Sequence, residues 1–179
     1  MSKLPKEHRF IDLSDYGRPV AIAIAKSLKN TDFTPIHVTI AFVISGLIGI
    51  GFMLGDFVWA AALFYILKSI LDAADGELAR VKQTPSYTGR YLDSISDIIL
   101  NFLILSGLWY LTDANILFTI LAFIGLQLQG TLYNYYYVIL RNNFGGDKTS
   151  RIIENETPIA MAGEKQRDVD ILFRLYRIL

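Results

Sequence analysis

Cysteine is absent from the chain, which removes disulfides and thiolate metal ligands from consideration. Charge is scarce as well: Asp, Glu, Lys and Arg make up 19% of 179 residues, against about a quarter in a soluble domain. Neither sign is in excess, since 17 basic residues meet 17 acidic ones. With no basic surplus to neutralise phosphates, nucleic acid is excluded as a bulk partner. The opening MSKLPKEHRFIDLSDYGRP lacks the apolar core of a signal peptide, so insertion into a membrane is expected to rely on internal segments. No long repeat or low-complexity tract organises the rest.

What is present in quantity is apolar: the hydrophobic share is 53% and the mean hydropathy +0.37. Residues 33–55 and 114–140 contain no Asp, Glu, Lys or Arg. Uncharged runs of that length suit a bilayer core of roughly 30 Å crossed at ~1.5 Å per residue. Two shorter apolar runs lie between them. Residues 57–71 carry one charge, Lys68, and continue into Asp72 and Asp75; residues 98–112 carry none and follow Asp93 and Asp97. The expected fold is therefore an all-α, polytopic membrane bundle of four spans, two of which reach full length only if their carboxylates enter the membrane region.

Lys and Arg sort by connection. Apart from Lys68 they occupy residues 3–29, 80–90 and 141–177, and the connections around Asp56 and Asp113 hold none. By the positive-inside rule both flanks and the middle connection face the cytoplasm. Residues 12–30 can form an interfacial helix with Val20, Ile24 and Leu28 on one face, and Pro35 marks the break before the first span. Gly46, Gly49, Gly51 and Gly55 allow close helix contact along that span, while Tyr133, Tyr135, Tyr136 and Tyr137 suit an aromatic belt. The chain divides into a flank (1–33), a membrane region (34–141) and a cytoplasmic piece (142–179).

Depth singles out four carboxylates. Asp72 lies 15 residues after Phe57 and Asp97 lies 15 residues before Thr112, so both sit roughly 22 Å from the external side. Asp72 and Asp75 share a helix face, as do Asp93 and Asp97, with Gly89 one turn before Asp93 and available for close approach of the two helices. Carboxylates converging in a poorly hydrated place repel one another, and a hard divalent cation such as Mg²⁺ or Mn²⁺ resolves this with all-oxygen ligands. The plainer alternative is that they cap helices or pair with Lys68, Arg80 and Arg90. Four at one depth favour function, because charge inside a membrane helix is costly.

The surrounding pattern is more specific. It runs Asp72-x-x-Asp75-Gly76-x-x-Ala79-Arg80, eight residues, then Gly89-x-x-x-Asp93-x-x-x-Asp97. This resembles, without gap or substitution, the signature of the CDP-alcohol phosphotransferase (CDP-alcohol phosphatidyltransferase) family. A Thr34-Pro35-x-x-x-Thr39 start to the first span is similar to the family's usual beginning. The resemblance implies a transferase of phospholipid biosynthesis that moves a phosphoalcohol from a CDP-alcohol, commonly CDP-diacylglycerol, to an acceptor alcohol and releases CMP. It further implies Asp72, Asp75 and Asp93 as metal ligands, and Asp97 as ligand and general base. Gly76, Ala79, Arg80, Ser86, Gly89 and Pro35 would lie at the nucleotide and its phosphates. A homodimer in the cell's inner or plasma membrane is expected.

The residue chemistry agrees with those roles. Phosphoryl transfer needs charge neutralised on the diphosphate and a base near the attacking hydroxyl, and Arg80 offers a planar fork for phosphate oxygens. Arg141, Lys148 and Arg151 could recognise a phosphorylated acceptor, or serve only as topology signals. The family pattern is six helices against four clear spans here, with residues 171–179 a place where a truncated fifth could begin. Two other readings stay open from sequence: an intramembrane divalent-cation or proton transporter, and a non-catalytic family member.

Overall fold

The computed structural model describes residues 16–144, 151 and 154–179. Six helices and no strand occur among the described residues: α1 (Arg18–Leu28), α2 (Pro35–Leu54), α3 (Val58–Lys82), α4 (Tyr87–Thr112), α5 (Ile116–Asn143) and α6 (Gln166–Ile178). Three of them, α2, α4 and α5, are long and apolar enough to cross a membrane. They mark an integral membrane protein. Helix α3 has the length, at 25 residues, but Lys68, Asp72, Asp75 and Glu77 break up its apolar surface. The expected four spans are thus three by composition.

Local signals set the helix limits. Thr34 caps α2 in a reciprocal box: its Oγ1 accepts from the His37 N–H at 3.4 Å, and His37 Nδ1 accepts from the Thr34 N–H at 3.0 Å. Pro35 follows at the first turn, where its missing N–H costs nothing. Gln83 ends α3 in the left-handed region at φ 56°. There the Thr84 N–H reaches the Ala79 carbonyl at 3.0 Å, as in a Schellman-type stop. Ser86 then caps α4 by accepting from the Gly89 N–H at 2.8 Å. Connections this short, at 55–57, 83–86 and 113–115, make successive long helices run antiparallel.

Packing centres on α3, which lies mainly against α2 and α1. Helix α1 buries Ala21 and Ala25 against Val38, Ala74 and Leu78, with Ile24 and Leu28 alongside. The sequence assigned that face to Val20, Ile24 and Leu28; Val20 is instead half exposed, because small residues bring α1 closest to α3. Along α2, a Cβ on Gly46 would meet Leu100 Cδ1 at 2.8 Å, and one on Gly49 the Tyr65 ring at 2.7 Å. These two glycines are where α2 accepts α4 and α3. Gly51 has nothing within 4 Å of such a Cβ and takes no part in that contact.

Helix α4 packs on α2, α5 and α6. Its contact with α6 is a small core of Tyr91, Ile95, Val169 and Phe173. Burying Val169 and Phe173 favours docking by roughly 1.5–3 kcal/mol each. A helix was expected from residue 171; it starts at Gln166 and lies along α4 through Val169 and Phe173. Outward faces of α2 to α5 remain apolar, with Trp59 90% and Phe118 69% exposed, as suits a surface facing lipid.

Candidate active site

Helices α3 and α4 both pack on α2, yet make few close backbone approaches to one another. Polar side chains cross the space between them. From α3 come Asp72 and Asp75, three residues apart on one face; from α4 comes Asp93. Each of the three offers a carboxylate oxygen within 4.8 Å of the others. Oxygens around an octahedral Mg²⁺ lie about 3–4 Å apart, given bonds of about 2.1 Å, so small side-chain rotations close this array on one ion.

Two further observations fit a cation there. Asp93 is half buried as a residue, but its Oδ1 is shut off from solvent and has no hydrogen-bond partner among the described residues. A buried acceptor left unmet is costly, and a cation would satisfy it. Asp75, 8% exposed, accepts a 2.7 Å hydrogen bond on Oδ2 from the Thr39 hydroxyl of α2, itself 1% exposed. That bond fixes the carboxylate's rotation, with an oxygen within 4.8 Å of those of Asp72 and Asp93. Carboxylates alone, with no nitrogen or sulfur donor, form the hard set that suits Mg²⁺ or Mn²⁺.

Asp97 stands apart from these three. Its Oδ1 accepts an ion-paired hydrogen bond from Lys68 Nζ, and the Lys68 ammonium also lies 5.2 Å from the Phe42 ring centre, a cation–π distance. The structure therefore brings together three of the four expected carboxylates and turns the fourth to a lysine one turn away on α3.

Beside the carboxylates lies a second cluster. Glu77 is buried in α3 and its Oε1 holds two guanidinium groups, Arg80 at 2.9 Å and Arg18 of α1 at 3.1 Å. Gly76 lies under the Arg80 head: a Cβ there would sit 3.5 Å from Arg80 Nη1. Arg80 Nε is buried and unpartnered among the described residues, so part of its donor fork is unspent. Pro35 opens α2, and its carbonyl lies 3.2 Å from the Thr39 hydroxyl. Ala79 serves the α3 stop described above.

The start of α4 carries Ser86 and Gly89. Gly89 was expected to admit the helix bearing Asp72; its bare side instead faces the Ser86 cap and Ile36 of α2, 4.0 Å away. A carboxylate the sequence did not single out closes this end. Glu164 accepts from Ser86 Oγ at 2.8 Å, from the N–H groups of Thr88 at 2.6 Å and Tyr87 at 3.2 Å, and from the Met161 N–H at 3.0 Å. Burial alone would raise its pKa; the bonds from Thr88, Met161 and Ser86 outweigh that and hold the carboxyl below its ordinary value. Glu154 does the same for the next turn, pairing with Arg90 at 2.6 Å and accepting from Tyr91 Oη at 3.0 Å.

Of the expected acceptor cations, Arg141 is buried with its guanidinium 5.5 Å from the Tyr137 ring. Arg151 bonds the Glu156 carbonyl at 2.8 Å, and Lys148 lies outside the described residues. Neither Glu164 nor Glu154 carries a local signal: each is a loop acid far along the chain from the helix it serves. Glu77 sits inside the motif at a position the pattern leaves open.

A comparison with curated proteins gives no match. The family comparison does: residues 33–160 match the CDP-alcohol phosphatidyltransferase model. That match spans α2, the whole carboxylate array, Arg80 and Glu154, and stops short of Glu164. Family members transfer a phosphoalcohol from a CDP-alcohol and in general depend on a divalent metal. With well over half of its residues in the match, the chain belongs to the CDP-alcohol phosphatidyltransferase family.

Proposed function

We propose that the chain is a membrane-embedded transferase taking a CDP-linked lipid, CDP-diacylglycerol in the first instance, as donor and an alcohol as acceptor. The observation that carries the reading is the trio of Asp72, Asp75 and Asp93 beside Arg80, with a buried Asp93 oxygen that lacks a partner. A bound Mg²⁺ or Mn²⁺ would neutralise the donor diphosphate. Arg80, braced by Glu77 and uncovered by Gly76, supplies a fork to the phosphate oxygens. Ser86, Gly89, Ala79 and Pro35 shape the nucleotide's side of the cleft.

Asp97 is the base in this reading. As the acceptor in its pair with Lys68 it is a carboxylate, the form that can take a proton. The acceptor oxygen bonds to the phosphorus of the phosphoalcohol as the P–O bond to CMP breaks, and the hydroxyl proton passes to Asp97. We place the cleft at the cytoplasmic side, with α3 as a fourth span and α1 along the interface. The Lys and Arg of residues 80–90 and 141–177 support that orientation.

The test is CMP release from CDP-diacylglycerol by the purified full chain, supplied with Mg²⁺ or Mn²⁺ and a mixture of alcohols. Asp93→Asn should reduce release at least a thousandfold while leaving membrane insertion and melting temperature near wild type. Full activity in excess chelator, or in that variant, refutes the reading.

A further inference from the structure

Helix α6 has two apolar faces, and α4 covers one of them. At about 100° per residue, Val169 and Phe173 lie roughly opposite Ile171, Leu175 and Ile178. The first pair is buried on Tyr91 and Ile95 of α4. The second set is 48%, 44% and 80% exposed, at the spacing of a single stripe. Arg167, Arg174 and Arg177 run between the two faces within about 80° of arc. All three are exposed, and none forms an ion pair among the described residues. Arg177 leans on the docked side, its guanidinium 5.9 Å from the Phe173 ring, while Arg167 and Arg174 border the exposed stripe. Of the two acids on α6, Asp168 lies in the first turn, ahead of the stripe, and Asp170 accepts from Gln166 at 2.7 Å.

Depth decides what that stripe meets. Helix α4 has 26 residues, about 39 Å at ~1.5 Å per residue, or about 9 Å more than a hydrocarbon core of roughly 30 Å. Residues 98–112 are uncharged, whereas Arg90, Asp93 and Asp97 lie nearer its start, so the surplus length falls at the start, among headgroups. Helix α6 is held at that same end. Glu164, just before α6, bonds Ser86 Oγ and the N–H groups of Tyr87 and Thr88. Toward the other end of α6, the Tyr176 ring lies 5.1 Å from that of Tyr91. Helix α6 thus stays at the level of Ser86 to Ile95, where α4 passes from headgroups into acyl chains.

We propose that the outward face of α6 is a binding surface for anionic phospholipid of the surrounding leaflet. Ile171, Leu175 and Ile178 enter the outer acyl region, and Arg167 and Arg174 pair with the headgroup phosphates beside them. A helix with arginines along the edge of an apolar stripe is drawn to such a leaflet by both apolar burial and charge. The surface lies outside the carboxylate array and stands whether or not the chain transfers a phosphoalcohol. A leaflet that holds α6 also steadies the start of α4, through Val169 and Phe173.

The experiment places a fluorophore on α6 of the full chain. The sequence has no cysteine, so Leu175→Cys, or Ile171→Cys as a second site, takes a bimane label at one defined position. The labelled chain is reconstituted in phosphatidylcholine vesicles holding an equal mole fraction of either brominated phosphatidylcholine or brominated phosphatidylglycerol. Both lipids should quench the label, the anionic one at least about twofold more strongly. Adding Arg167→Gln and Arg174→Gln, which breaks no ion pair, should bring the two lipids level while quenching persists. A label reached by aqueous iodide and not by brominated lipid shows that the stripe faces water, and overturns the proposal. A label reached by neither shows that protein covers the stripe, and overturns it equally. Equal quenching by the two lipids in the chain with its arginines intact removes the anionic preference and overturns the assignment of Arg167 and Arg174.

Discussion

Replacing Thr39 with valine tests whether the carboxylate array is pre-set by α2. The Thr39 hydroxyl donates to Asp75 Oδ2 at 2.7 Å, and its own backbone turn competes weakly, with the Pro35 carbonyl at 3.2 Å. Both side chains are buried, Thr39 at 1% and Asp75 at 8% exposure, so water cannot replace the lost donor. Valine keeps the branched shape and removes only the O–H. A hydrogen bond to a charged group contributes ~1.5–3 kcal/mol. In Thr39→Val the carboxylate turns to find another donor, and a cation must draw it back into the array against that cost. At about 1.4 kcal/mol per factor of ten, Mn²⁺ should bind between about tenfold and about 150-fold more weakly. CMP release at subsaturating Mn²⁺ should fall in proportion and recover when Mn²⁺ is raised. Thr39→Ser, which keeps the donor, should stay within about threefold of wild type. A valine variant that binds Mn²⁺ as wild type does, with an unchanged melting temperature, refutes the argument that Thr39 orients Asp75.

Two further substitutions address the ends of the helices. Glu164 has its carboxyl held below the ordinary value by the donors at the start of α4. Its contribution is therefore present above the unfolded glutamate value of about 4.3 and is lost as pH falls through the lower folded value. Wild type should melt above Glu164→Ala at pH 7, and the gap should close in acid below about pH 4; a gap of equal size at both pH values contradicts this. Arg141→Ala should raise the Michaelis constant for a phosphorylated acceptor several-fold and leave that of the CDP-linked donor alone. If only the yield of inserted protein changes, Arg141 is a topology signal that also packs on Tyr137.

The parts legible in the sequence are those governed by runs and short spacings. Uncharged stretches gave α2 and α5 close to their bounds, and Pro35 marked the start of α2, whereas the caps on Thr34 and Ser86 emerge only in the structure. The short spacings put Asp72 with Asp75 on one face and Asp93 with Asp97 on another, but the depth count set Asp72 level with Asp97, and the structure instead gathers Asp72, Asp75 and Asp93 and sets Asp97 against Lys68. Level does not settle rotation. Asp97 shares a face with Asp93, but a turn of helix separates them, and at that depth the nearer charge is Lys68, not the trio. Helix α3 shows the same limit: the charges that make the site are those that remove it from the helices recognisable by apolar length.

Illegible altogether were the contacts that join distant segments. Glu164 reaches Ser86 over 78 positions, and Glu154 reaches Tyr91 over 63; neither leaves a period or a local partner to find. Their physical effect is nevertheless directed at the site. Asp93 and Asp97 lie in the turns of α4 that follow Ser86 and Tyr91, and α3 supports those turns with few direct backbone approaches. The start of α4 is instead held by Ile36 of α2 beside Gly89, by Glu164 on its first N–H groups, and by Glu154, Val169 and Phe173 around Arg90 and Tyr91. The cleft between α3 and α4 can stay open for this reason. Its acidic wall is braced from outside, so the carboxylates need not be pressed together by the packing of the helices that carry them.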